Sequence, residues 1–428
     1  MSGWSGAVHP RGGHWENLGR FSVRPRAEAT VDLGPANDWP MHAHEMRPWR
    51  SASRGPREDR MFTQVEVSLP PMIADLDYQP AGDVTAALEE AAIAASSLDL
   101  QYGAQMSSLG TFLLRTESVA SSRIERLDAK MDDLAKAVAG LKASDTAHAT
   151  LNAVRALTTM VTAAGQKRRI DLGDVLAAHH QLMRDDPIDR EYAGQLRDVQ
   201  NWIGGSDYSP RGAVHVPPPP ELVPELMADL LVFSNRRDMA VLAQAAIAHA
   251  QFESIHPFTD GNGRIGRALI NSILRSRGVT SRAVVPIASA MVADVERYFG
   301  LVNGYRDGRT GPFVAYLADA TIRSSREAGA SAVELAGLPD RWRDRVRPKT
   351  GSTAAKLIDV LLEHPVLDAD DAARLAGGVS APSAYSAIDQ LVNAGVLHPI
   401  TASKRNVAWA ATDVMDEIES LNIRLRIP

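Results

Sequence analysis

Ile255-His256-Pro257-Phe258-Thr259-Asp260-Gly261-Asn262-Gly263-Arg264-Ile265-Gly266-Arg267 is a stretch whose residue types all suit phosphate chemistry, and the segments on either side read as its supports. An apolar run from Met239 to Phe252 approaches it with Leu242, Ala246, His249 and Glu253 at helical spacing. Pro257 disfavours helical backbone at the residue before it, which predicts that the helix ends at an extended His256. Gly261, Gly263 and Gly266 lack a Cβ, so positive φ and amides turned toward an oxyanion are expected there. Ile265, Leu269, Ile270, Ile273 and Leu274 begin a second helix at once, and its N-terminal dipole and free amides also favour anions. Arg264 and Arg267 lie three apart on one face of that helix, suited to two different phosphates of one chain. Asp260 supplies the hard oxygen that Mg²⁺ prefers when it bridges phosphates.

The string resembles the signature of the Fic family, His-x-Phe-x-Asp/Glu-Gly-Asn-Gly-Arg-x-x-Arg, and matches it at every fixed position. Treating residues as equally frequent, such a match arises by chance on the order of 10⁻¹⁰ per starting position. The resemblance implies an adenylyltransferase that moves AMP from ATP to a hydroxyl of a target protein. It implies that His256 is the general base and that Asp260 holds Mg²⁺ between the α- and β-phosphates. Asn262 with the Gly261 and Gly263 amides would form the anion hole, Arg264 would grip the β-phosphate and Arg267 the γ-phosphate, and Phe258 would plug the core beneath the loop. Taken singly, each residue has an ordinary use, a helix-end histidine or an Asn-Gly turn; the joint pattern is what argues for chemistry.

Composition frames this reading. A chain of 428 residues with 45% hydrophobic content supports two or three domains with buried cores. A net charge of −6 gives no global nucleic-acid footprint. The absence of cysteine excludes disulfides, thiolate zinc sites and cysteine nucleophiles, and fits a reducing compartment. No apolar run of about 18 residues or more and no signal segment is found, so a cytoplasmic protein with no membrane partner is expected.

Residues 1–60 read as a disordered tail, with six prolines, seven glycines and nine arginines and no lasting apolar period. Four of the seven tryptophans, Trp4, Trp15, Trp39 and Trp49, fall in it, against the usual composition of such tails. His42 and His44 read as a surface pair, and Met61 is an alternative start. Residues 61–144 read as an N-terminal helical region. One helix follows Asp83, and another begins near Ser107 and runs on to Ser121 and Glu125. In many Fic proteins an inhibitory helix bears Ser/Thr-x-x-x-Glu-Gly/Asn, whose glutamate pairs with the last motif arginine. By that resemblance Ser121 and Glu125 are inhibitory, while Arg126 departs from the Gly or Asn of the pattern.

Residues 145–338 read as the helical catalytic core, with stripes at Leu151, Val154, Leu157, Met160 and Val161, and at Leu172, Val175, Leu182 and Met183. Val199–Ile203 and Ala213–Val216 are β-prone runs around Gly204-Gly205, predicting a hairpin. In the Fic family such a flap aligns an extended segment of the target, which assigns Trp202, Ile203, Val214 and Val216 to target binding. Tyr298, Phe299, Asn303 and Tyr305 fall where related proteins line the adenine pocket, and His179, His180 and His249 read as packing or surface residues.

Residues 339–350 read as a charged linker, and 351–428 resemble a winged helix-turn-helix. The segment Ser383–Ala394, where a recognition helix would lie, has no Lys or Arg, leaving Lys404 and Arg405 for phosphates; a protein-docking or homodimer module is favoured over DNA binding. The expected fold is therefore mainly α: a Fic-type helical core with a β-hairpin flap, plus a C-terminal winged helix-turn-helix domain. Two functions stay open: an adenylyltransferase acting on Ser, Thr or Tyr, autoinhibited by Glu125 and in some relatives also removing AMP, and a nucleotide-sensing DNA-binding transcriptional regulator.

Overall fold

The computed structural model describes residues 39–50, 55–102, 107–401 and 407–426. In chain order the elements begin with β1 (Ala43–Pro48), α1 (Arg57–Arg60), β2 (Gln64–Leu69), α2 (Gly82–Tyr102), α3 (Ser107–Ile124), α4 (Met131–Val138), α5 (Asp145–Lys167) and α6 (Leu172–Met183). They continue with α7 (Val223–Ser234), α8 (Val241–Ile255), α9 (Asn262–Arg277), α10 (Ile287–Met291), α11 (Val295–Arg306) and α12 (Gly311–Val346). The chain closes with α13 (Thr353–Val360), β3 (Val366–Asp368), α14 (Ala369–Leu375), α15 (Ala381–Asn393), β4 (Leu397–Pro399), β5 (Ala408–Ala411) and α16 (Thr412–Arg426). Helix dominates, as the 3.6-residue spacing of the apolar positions requires.

Two compact units divide these elements. The first gathers residues up to Ala92 with Thr159–Gly278 and Glu296–Asp319. At its centre every residue of α8 is buried, and so are all but two of the sixteen in α9. Buried all round, with Gln244, His249, Gln251, Glu253 and Ser254 as its polar members, α8 is a core helix rather than a surface one. Leu242, Ile247, Phe252, Ile255, Ile265, Leu269 and Ile273 are all essentially inaccessible, and each such side chain stabilises by about 1.5–3 kcal/mol relative to exposure.

The expectation of a disordered tail through residue 60 is corrected for its described part. β1 pairs antiparallel with β2 from Ala43↔Leu69 to Pro48↔Gln64. Trp39 is buried edge-on against Tyr78 and Phe233, and Trp49 is buried against Trp202 with ring centroids 5.6 Å apart. The tryptophans supply the apolar area that the surrounding Pro, Gly and Arg lack. His42 is likewise no surface residue: it is buried, with Nδ1 2.7 Å from the Ser68 hydroxyl.

The predicted hairpin at 199–216 is also corrected, being reduced to a single antiparallel bridge, Ile203↔His215. Pro217 to Pro220 have no N–H to continue a ladder, and Gln200 spends its amide on the Pro217 carbonyl at 2.8 Å.

The second unit gathers Ile93–Thr158, Val279–Val295 and Ala320–Pro428. Its C-terminal part packs α13, α14, α15 and α16 on a three-stranded antiparallel sheet of order β3-β5-β4, around Leu357, Ile358, Leu361, Leu367, Ile388, Leu391 and Ile418. Ser352 and Asp368 cap α13 and α14, accepting from the Ala355 and Asp371 amides at 3.3 and 2.8 Å. The linker expected at 339–350 is helical through Val346, with Pro339 inside α12. A mid-helix proline costs about 3 kcal/mol. Burial of Leu335, Leu338 and Trp342 on both sides of it offsets that cost, and the Trp342 indole donates to Asp413 at 2.7 Å. Lys404 and Arg405 lie outside the described residues.

Candidate active site

The last turn of α8 ends inside protein, so each terminal carbonyl needs a donor. Phe252 O accepts from the His256 N–H at 2.8 Å. Glu253 O accepts from Arg306 at 3.3 Å, Ser254 O from His215 Nε2 at 2.9 Å and Ile255 O from Arg197 at 3.3 Å. Arg197 donates further to His256 O, Val199 O and Pro218 O at 2.8, 3.0 and 2.6 Å. It is a buried guanidinium bonded to four carbonyls, and a cation at a helix C-terminus also opposes the negative end of the dipole. Burial lowers the pKa of Arg197 to about 9 and that of Arg306 to about 10, so both remain cationic at neutral pH.

His256 follows in the left-handed region, φ 49° and ψ 61°. This corrects the extended backbone expected before Pro257. The conformation costs roughly 1–2 kcal/mol for an L-residue, and it persists because the Phe252 bond on one side and Arg197 on the other over-determine it. The imidazole pKa is lowered to about 3, first by burial, then by the charges of Arg197 and Arg306; a backbone bond with Glu253 opposes the shift. At neutral pH the ring is uncharged.

Beyond Pro257 the loop is stapled from inside. Asn262 accepts from the Phe258 N–H and donates to the Phe258 carbonyl, both at 2.8 Å, and Asn201 donates to the same carbonyl at 2.8 Å. The Asn262 side chain therefore braces the loop and is not turned to an anion, a correction to the role expected from the pattern. The Phe258 ring is fully buried and stacks on His179 with centroids 3.7 Å apart and planes within 5°. His179 Nδ1 accepts from the Gly194 N–H at 2.9 Å, which puts the proton on Nε2, 3.1 Å from the Asp260 carbonyl that it donates to. Burial lowers its pKa to about 4.

The glycines divide their work differently from the expectation. Gly261, with φ 77°, makes the left-handed turn into α9, and a Cβ there would fall 2.8 Å from Leu182. Gly266 is ordinary helix; a Cβ on it would meet Glu253 Oε1 at 2.6 Å and Phe252 at 3.0 Å, so it is what allows α8 and α9 their close approach. The first amides of α9, at Asn262, Gly263 and Arg264, have no intrahelical acceptor by construction. Arg264 lies 3.3 Å from Asp260 Oδ2, and the Asp260 side chain stays 40% exposed. Arg267 is almost wholly buried one turn on. Among the described residues no group of three or more His, Asp or Glu is placed to enclose a metal. Mg²⁺ here would rest on one carboxylate plus phosphates and water, which is its usual mode.

His256, Asp260, Gly261, Asn262, Gly263, Arg264 and Arg267 thus share one loop and helix start. Beside them, Val216 is buried, Trp202 and Ile203 are half-buried and Val214 points outward. Ser121 and Glu125 belong to the second unit, Ser121 in the last turn of α3 and Glu125 just past it. Arg126 follows with φ 60°, its N–H bonded to the Arg123 carbonyl at 2.9 Å. Where the pattern has Gly or Asn, this position is a left-handed helix cap, which explains that preference. Tyr298 and Tyr305 are fully buried, their hydroxyls 2.8 Å from His249 Nε2 and Gln251 Oε1. Arg197, His179, His215 and Arg306 were not legible as site residues, because each acts on a backbone atom dozens of residues away.

A neutral histidine at a helix corner stands next to a helix N-terminus with two arginines and one accessible carboxylate, groups whose chemistry suits an anion such as a phosphate chain. The family comparison agrees in its own terms: residues 169–274 match the Fic/DOC family and form a Fic domain. Protein adenylyltransferase Fic of Aedes aegypti is 30% identical over 216 residues, 50% of this chain and 37% of that protein. The protein of the same name from Drosophila erecta is 31% identical over 163 residues, 37% of this chain and 29% of that one. The chain spans about a third of the length of these relatives. A crystal structure of a Fic family protein from Desulfovibrio desulfuricans G20 covers 78% of this chain and 98% of its own, at 21% identity and a TM-score of 0.47. No helix among the described residues is long and apolar enough to cross a membrane.

Proposed function

We propose that the protein is an adenylyltransferase transferring AMP from ATP to a Ser, Thr or Tyr hydroxyl of a target protein. The observation that carries this reading is the neutral, strained His256 fixed at the corner where α8 meets the anion-binding start of α9. In that role Nε2 or Nδ1 takes the acceptor proton as the oxygen attacks the α-phosphorus, pyrophosphate leaves, and the α9 amides meet the charge that develops on the α-phosphate. Arg264 and Arg267 hold the β- and γ-phosphates. Asp260 would hold Mg²⁺, which would supply charge neutralisation for the leaving pyrophosphate. The adenylyltransferase relatives support the same reaction class. The test is incubation of the purified protein with α-labelled or γ-labelled ATP and Mg²⁺. Label on protein from the α-position alone supports AMP transfer; label from the γ-position means phosphorylation and overturns it.

Glu125 in this reading is an inhibitory residue acting on the pose of the γ-phosphate, and Ser121 belongs to the same inhibitory pattern. A coupling of about 1–3 kcal/mol corresponds to release of roughly 5–150-fold when it is removed. The C-terminal part of the second unit serves protein docking or self-association. The exposed residues of α15, among them Tyr385 and Asp389, include no Lys or Arg, which weighs against base reading.

A further inference from the structure

The described N-terminal segment does more than complete the core of its unit: residues 49–69 touch the flap region 202–216 at four separate points. Trp49 packs at right angles on Trp202. Gly55 lies so close to Tyr208 that a Cβ there would fall 2.6 Å from the tyrosine side chain. Asp59, completely buried, accepts from the Ser209 hydroxyl at 2.5 Å and from Arg211 Nε at 3.3 Å, with Glu58 adding a 3.0 Å pair to the same arginine. The Ser68 N–H donates to the Val216 carbonyl at 2.8 Å, which engages that side of the 213–216 run. The flap itself has one bridge of its own, too little to hold a two-stranded ribbon in water. From it His215 reaches the Ser254 carbonyl, two residues before His256.

We propose that Trp49, Asp59 and Ser68 are positioning residues that fix the flap for the acceptor protein, so that an extended acceptor segment adds only along the 201–203 side and arrives at His256 in one register. The segment acts on the acceptor and not on the nucleotide, because its contacts fall on 202–216 and none of those cited falls on 260–267. This rests on the AMP-transfer reading.

The test uses the full chain with Asp59→Ala and, as the conservative variant, Asp59→Asn, which keeps an acceptor for Ser209. The protein acceptor is a His256→Ala copy of the same chain, labelled from α-labelled ATP; equilibrium ATP binding and amide exchange at 202–216 are measured alongside. The expected result for Asp59→Ala is faster exchange at 202–216, a KM for the acceptor raised roughly 10- to 100-fold, the worth of a charge-assisted hydrogen bond, and ATP affinity within about twofold of wild type. Asp59→Asn, which keeps the acceptor oxygen without the charge, should recover part of the acceptor KM. Unchanged exchange, an unchanged acceptor KM, or a parallel loss of ATP affinity each overturns the proposal. If wild type labels no acceptor at all, the AMP-transfer reading fails first, and the exchange measurement still reads the brace by itself.

Discussion

Among the described residues four helix ends carry a non-glycine residue in the left-handed region, at Arg126, Arg168, His256 and Arg347, and two of them, α8 at His256 and α3 at Arg126, are built in opposite ways. Around His256 four carbonyls of the last turn are capped by the His256 amide and by three side chains from elsewhere in the chain, so the strained backbone has no alternative. Arg126 is exposed, and the backbone bonds at this end are local, its own N–H to Arg123 O and that of Leu127 to Ser122 O, both at 2.9 Å. Strain surrounded by converging donors marks a position fixed for chemistry; strain at an open cap marks only a residue that is not the best fit.

Removing the convergence at α8 should have the largest consequence. Arg197→Met keeps the volume but leaves four carbonyls without their donor. It should lower stability by roughly 2–4 kcal/mol, allowing for partial rescue by water. It should also cut α-label incorporation by about 10²-fold, the usual penalty for a reacting group displaced by about 1 Å. Chemical denaturation and the labelling rate check it, and a variant as active as wild type would remove the difference between the two helix ends.

At the other end, Glu125→Gly should raise automodification by roughly 5–150-fold. Adding Arg267→Ala should remove the gain if the inhibition works through that arginine; no rise in the single variant would make Glu125 an ordinary surface carboxylate.

A pH series separates the regions on a different axis. His42, His179, His249 and His256 have pKa values lowered to about 3 or 4, and His215 well below its usual value, each first by burial, and all five lie in the first unit. The unfolded chain binds protons at these sites below about pH 6.5 while the folded one does not. Stability is therefore whole above pH 6.5 and is lost as the pH falls toward 3–4, at about 1.4 kcal/mol per pH unit for each histidine. Thermal melts from pH 7.5 to 5 should show the steep fall; a flat Tm would mean the histidines are not buried neutral. The transfer rate should hold through pH 6.5 instead of halving there.

The smallest effect is at the open cap. Arg126→Gly relieves the left-handed penalty and should stabilise by about 0.5–1 kcal/mol after glycine's entropy is counted, a rise of a few degrees in Tm; destabilisation would show that Arg126 is held as firmly as His256.

Helices α2, α3, α5, α6, α8, α9 and α15, and the position of the loop between α8 and α9, could be read from apolar spacing and from Gly, Pro and Arg at fixed offsets, because those signals are local. What was not legible depends on partners far along the chain. Trp39 and Trp49 sit in a stretch with tail-like composition, and their burial is decided by Phe233 and Trp202. Pro339 should end a helix on local grounds, yet burial of Leu335, Leu338 and Trp342 carries α12 past it. Asn262 and Gly266 matched the pattern, but whether a side chain meets a ligand or its own loop is a question of geometry that spacing does not answer.

His256 itself gives the most direct measurement of the central claim. His256→Ala should bind ATP nearly as wild type does while α-label incorporation falls by about 10²–10⁴-fold, the contribution of a positioned base. Retention of most of the labelling activity in that variant would contradict the account.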